Sequence, residues 1–147
     1  MKMTSFAMAM AAAFIPAMAL GASNPVTVSD AWFRYLLPQI PAGGFMTLHN
    51  PSDHPIVLDS VRSPACGTAM LHESISSGGA EAMIMVMTIT VPANGDFAFS
   101  PDRYHVMCME PRMKVGETVP VTLLFQNASP ITVNFSVYGA TGPKASP

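Results

Sequence analysis

The sequence is short of charge. Only 11% of its residues are Asp, Glu, Lys or Arg, the formal net charge is −2, and no Lys/Arg cluster occurs anywhere in the 147 residues. A chain without a basic field has nothing with which to collect phosphates, so nucleic acid is not an expected partner. Cysteine is scarcer still, since Cys66 and Cys108 are the only two. No C-x-x-C or H-x-x-x-H pair is present, which removes the usual frame of a structural zinc site. No G-x-S-x-G occurs either, and no enzyme activity is expected. Helical periodicity and internal repeats are also missing.

Long hydrophobic runs are confined to the N-terminus. "MKMTSFAMAMAAAFIPAMALGAS" has one early Lys, an apolar run from Phe6 to Phe14, then Pro16 and small residues. This is the layout of a secretory signal peptide, expected over 1–22 with cleavage near 19–22. The run is shorter than the roughly 20 residues a transmembrane helix requires. The mature form is therefore expected to be exported and to have no membrane span. In an oxidising compartment two cysteines pair more readily than they persist as thiolates, so a Cys66–Cys108 disulfide joining two strands is expected.

What the chain does have is apolar residues, at 50%, and dense punctuation. Short runs recur throughout: "DAWFRYL", "GFMTLHN", "IVLDSVR", "TAMLHES", "AMIMVMTITV", "DFAFS", "YHVMCM", "TVPVTLLFQ" and "ITVNFSVYG", separated by turn signals such as "NPSD", "SSGG" and "PANGD". In "ITVNFSV", Ile131, Val133, Phe135 and Val137 alternate with polar residues at strand period. The pattern predicts an all-β antiparallel sandwich over 23–140, with a flexible tail at 141–147.

Methionine is abundant, at 13 residues, against four histidines. In "YHVMCM" a strand puts His105, Met107 and Met109 on one face and Tyr104, Val106 and Cys108 on the other. An H-x-M triplet is weak by itself, and methionine in a strand is commonly core filler. Upstream, however, "LHESISSGGAEAMIMVM" puts His72 on one predicted strand and Met83, Met85 and Met87 on the next, after a Ser-Gly-Gly loop. Thioethers are soft, neutral ligands that neither lose a proton nor form disulfides, which suits them to hold Cu(I) where thiols oxidise. A blue-copper electron carrier is disfavoured because no His follows Cys108.

His72, Met83, His105 and Met107 together spell H-x10-M-x21-H-x-M. This resembles the signature of the periplasmic copper(I) chaperones of the copper A (PCuAC) family. "SDAWFR", "GGFMTLHNPSD", "SPACGTAMLHES", "VPANGD", "YHVMCM" and "VGETVPVTLLF" follow the family's order, covering nearly all of residues 26 to 138. The resemblance implies a cupredoxin-like Greek-key sandwich that binds one Cu(I) per chain through His72, Met83, His105 and Met107. It implies a periplasmic location, and delivery of the ion to the copper A subunit of cytochrome c oxidase, to a Sco-type thiol protein, or to both. After Met83 the chain reads "IMVMTITVP" where the family often has an Arg-Pro pair, which leaves Met85 open as a substitute ligand. The tail "ATGPKASP" has no His or Met for a second site.

Other residues have plainer expectations. Trp32 is expected in the core, and Tyr104 beside the site or in the sandwich. His49 and His54 are expected at an exposed turn. Glu73 and Asp102 are expected as solvent-facing charges, with hydrogen bonds to the neighbouring histidines left open. The other function class open at this point is a secreted adhesion or assembly module whose methionines are core.

Overall fold

The structure is a computed structural model that describes residues 23–144. The predicted leader over 1–22 lies outside the described residues, as do residues 145–147 of the tail. Ten strands carry the described chain: β1 Thr27–Arg34, β2 Ala42–Asn50, β3 Ile56–Arg62, β4 Thr68–Ser77, β5 Ala80–Met85, β6 Ile89–Val91, β7 Gly95–Ala98, β8 Tyr104–Met109, β9 Thr118–Phe125 and β10 Ile131–Tyr138. No helix occurs among the described residues.

The hydrogen-bonded path runs β5-β4-β8-β2-β1-β10-β9-β3-β6, and β7 pairs with β2 alongside it. The path folds back on itself, so that β3 packs near β4 while β6 meets β7 and β2. Two layers thus enclose one core, as the strand pattern predicts. β1 and β10 run parallel, with Trp32 opposite Ser136, while the other ladders are antiparallel. No hairpin joins the first strand to the last, so nothing forces that pair to be antiparallel.

Alternation supplies the core. On β10, Phe135 and Val137 are buried while Asn134 is exposed, and the Phe135 ring packs against Phe33 of β1 at 5.0 Å between centroids. Met46, Leu48, Ile56 and Leu58 are fully buried from β2 and β3. Each such side chain contributes about 1.5–3 kcal/mol of burial. Gly44 has a packing reason: a Cβ there would sit 2.7 Å from the buried Phe33 ring and 3.0 Å from the Val106 Cβ. Only a residue without a side chain lets β1, β2 and β8 come this close.

One predicted run divides. "AMIMVMTITV" reads as a single strand, yet the ladder breaks between Met85 and Ile89, sending β5 to pair with β4 and β6 to pair with β3. Burial explains the break: every residue of β5 is exposed, whereas β6 buries Ile89 and Val91. No Gly or Pro marks the change, so periodicity alone runs through it.

Two links fix loops to the sandwich. The buried Asn50 donates through Nδ2 to the carbonyls of His54, Val91 and Pro92, and its Oδ1 accepts from Ser52. This side chain, read in the sequence only as part of a turn signal, holds the β2–β3 connection. Cys66 and Cys108 form the predicted disulfide, with Cα atoms 5.3 Å apart. It ties the β3–β4 loop, not a second strand, to β8. At the C-terminal end Gly142 lies against the Trp32 ring.

Candidate metal centre

β8 lies between β2 and β4, and β5 hangs from the far side of β4 as an edge strand. Register decides which side chains meet. His72 of β4 stands directly opposite His105 of β8, and Met70 stands opposite Met107. Directly paired residues share a face, so the two imidazoles and Met107 project from one side of the sheet. The rings are 5.8 Å apart between centroids and steeply inclined, at 74°. On the other flank of β4, Met85 stands opposite His72 and Met83 opposite Ser74.

Met83, His105 and Met107 line one hollow of about 250 Å³, together with Arg34, Phe45 and Ser74 among others. The structure therefore brings three of the four residues singled out by spacing into one cavity and puts the fourth, His72, across the ladder from His105. Met85 lines a neighbouring hollow instead, with Met70 and Met87. Depth differs sharply within the set: His105 is 5% exposed and Met83 60%. Glycine makes the hairpin that carries Met83 possible, since Gly78 and Gly79 both have positive φ at its tip.

The ring nitrogens are informative. His105 Nδ1 lies 3.2 Å from the Arg103 carbonyl and donates to it, which leaves the Nε2 lone pair free. His72 Nδ1 is buried and has no protein hydrogen-bond partner. Buried polar nitrogens are costly when unpaired, so this atom fits a ligand role better than a packing role. Burial is the main influence holding His105 below the ordinary histidine range, with His72 and Arg34 acting in the same direction and the Arg103 carbonyl opposing. A neutral imidazole at mildly acid pH keeps its lone pair for a metal.

Hard ligands are not assembled here. Among the described residues no group of three or more His, Cys, Asp or Glu is placed to hold an ion, and both cysteines are committed to the disulfide. Any centre at this spot depends on thioether sulfur, which selects soft cations. The two carboxylates considered as histidine partners are engaged elsewhere. Glu73 faces Arg103 at 3.5 Å, and Asp102 accepts from the Ser100 hydroxyl at 2.7 Å, which holds its carboxyl below the usual range.

Two of the aromatic and histidine positions, Trp32 and His49, differ from the plain reading. Trp32 is half-buried, not core, stacked at 4.7 Å on Phe45, a residue of the hollow. Tyr104 packs on Phe97 at 5.0 Å, inside the sandwich as expected. His49 lies within β2 and not in a turn; its Nε2 meets Ser29 Oγ at 2.7 Å and its Nδ1 meets Asp96 at 2.8 Å. The atom order is that of a serine-hydrolase triad, but Asp96 is 64% exposed where such a carboxylate is buried. The arrangement ties β1, β2 and β7 together. A signal for it existed only as three residues far apart in sequence.

Residues 26–137 match the family model LpqE-like, described as "Putative lipoprotein LpqE-like". A curated relative, "Putative lipoprotein Lxx21020" of Leifsonia xyli subsp. xyli, is 27% identical over 82% of this chain and 74% of its own length. Among solved structures, the copper-bound PCuAC domain from PmoF2 superposes with a TM-score of 0.67 at 21% identity, covering 80% of this chain and 96% of that one. The CuI form of DR1885 from Deinococcus radiodurans gives a TM-score of 0.61 at 34% identity, over 83% and 81% of the two chains. The chain belongs to the LpqE-like family, and its fold is the all-β, cupredoxin-like fold of the PCuAC domains.

Proposed function

We propose that this protein is an exported copper carrier that holds one Cu(I) between His72, Met83, His105 and Met107 and passes it to a partner. The observation that carries this reading is the pairing of His72 with His105 across β4 and β8, beside a hollow lined by Met83 and Met107. The copper-bound and CuI relatives of the same fold support the choice of ion. His105 supplies Nε2, because its Nδ1 is taken by a carbonyl, and His72 supplies the orphaned Nδ1.

Transfer follows from the difference in depth. Met83, on an exposed edge strand, is the ligand an incoming acceptor displaces first, while the buried His105 releases last. Arg34, on the wall of the hollow, repels a bound cation and so limits how tightly it is held. The family resemblance supports a periplasmic setting, a leader removed near 19–22, and an acceptor in the copper A subunit of cytochrome c oxidase or a Sco-type protein. The names of the family and the curated relative support envelope association. No described helix is long and apolar enough to cross a membrane.

The test is an anaerobic titration of the apo-protein against a chromophoric Cu(I) chelator. The carrier reading expects the protein to compete for about one equivalent, with binding weakened by Met107→Leu. No competition would leave the adhesion or assembly reading in its place.

A further inference from the structure

Met70, Met85 and Met87 line a second hollow, of about 160 Å³, that contains none of the four proposed copper ligands. The ladder brings them together. Met85 stands opposite His72, and the Val86 amide donates to the Leu71 carbonyl, which extends the β4–β5 pairing one step toward Met70 and Met87. Three methionines that converge in this way would normally be core, but Met85 is 60% and Met87 74% exposed. An edge strand is ordinarily protected by Lys, Pro or inward charge, and β5 carries only Glu81 as a charged residue. Hydrophobic burial therefore does not account for thioethers here.

We propose that Met70, Met85 and Met87 form a second, weaker soft-cation site, made of three neutral sulfurs and suited to Cu(I) or Ag(I). The proposal rests on the carrier reading only in its choice of ion. Thioethers bind soft monovalent ions and discriminate against Zn²⁺, Mg²⁺ and Ca²⁺, which want nitrogen, thiolate or oxygen. The electrostatics of the two hollows differ in the same sense. No residue lining the second one is basic, whereas Arg34 lines the first. A cation meets no fixed positive charge in the second hollow, although without an imidazole it is held less firmly. A strong competing chelator empties such a site, so it does not appear in a chelator competition.

Redox-inert Ag(I), added without a chelator, tests this through the Met methyl resonances of ¹³C-methyl-labelled protein. The wild type should take up two equivalents: the first shifts Met83 and Met107, the second shifts Met70, Met85 and Met87 together. A His105→Ala/Met107→Leu double variant should keep the second set of shifts. Met70→Leu/Met85→Leu/Met87→Leu should lose that set and keep the first, with an unchanged melting temperature because Leu preserves volume. Zn²⁺ should shift none of the three methyls. If Ag(I) leaves Met70, Met85 and Met87 unmoved while Met83 and Met107 respond, the second site is disproved and the carrier reading stands. Silence at Met83 and Met107 would count against the carrier reading separately.

Discussion

β8 and β5 carry the same alternation of soft side chains at opposite depths. β8 is flanked by β4 and β2, is tied to the β3–β4 loop by the disulfide, and keeps His105, Val106 and Cys108 at 5% exposure or less. β5 has one neighbour and no buried residue. A buried side chain on β8 is fixed by close packing, whereas one on β5 can change rotamer at little cost. A site assembled from both strands has a rigid half that sets geometry and an exchangeable half that admits a partner. The same residue type therefore takes different roles according to depth.

Removing what fixes β8 should have the largest effect. Cys66→Ala/Cys108→Ala is expected to cost about 2–4 kcal/mol in chemical denaturation. A negligible loss would mean that strand pairing alone fixes β8. Next comes His105→Ala. Loss of a mere outer-shell partner typically costs about 10–100-fold in metal affinity, so loss of this ligand should exceed about 100-fold by chelator competition. Met107→Leu should weaken binding more than Met83→Leu, because Met107 lies on a strand paired on both sides whereas Met83 lies on an exposed edge strand. Neither should cost more than about 1.5 kcal/mol of stability. The reverse order would show that depth does not divide the roles.

A pH series sharpens the same contrast. His105 is held below its ordinary value of 6.5, chiefly by burial. In the window beneath that value the unfolded chain binds the proton more readily than the folded one. Stability of the apo-protein should therefore be complete above the ordinary histidine range and fall as pH drops through that window. His105→Gln should flatten the slope in thermal melts taken at a series of acid pH values. The smallest effect is expected at Arg34. Arg34→Gln removes a positive charge from the hollow and should tighten Cu(I) binding modestly, and an unchanged or weaker affinity would remove Arg34 from the account of release.

Much of this was legible in the sequence because it depends on spacing along single strands. Alternation in "YHVMCM" put His105 and Met107 on one face and Cys108 on the other, and the structure has them so. The Ser-Gly-Gly signal placed the hairpin that carries Met83. What escaped depends on cross-strand register and tertiary burial, which no linear pattern encodes. The break in residues 82–91 follows from one half being solvated and the other buried. Trp32 lies beside the hollow because a bulge in β1 between Ser29 and Trp32 shifts its register against β2. The division of Met83 from Met85 between two hollows likewise became visible only when β5 was paired with β4.

The central claim is that His72, Met83, His105 and Met107 act together on one soft cation. Anaerobic chelator competition on the wild type, Met83→Leu and Met107→Leu tests it most directly. The account predicts about one equivalent of Cu(I) in the wild type, a marked loss of affinity in Met107→Leu and a partial loss in Met83→Leu. Wild-type affinity in both variants would contradict it, even if the protein still bound copper.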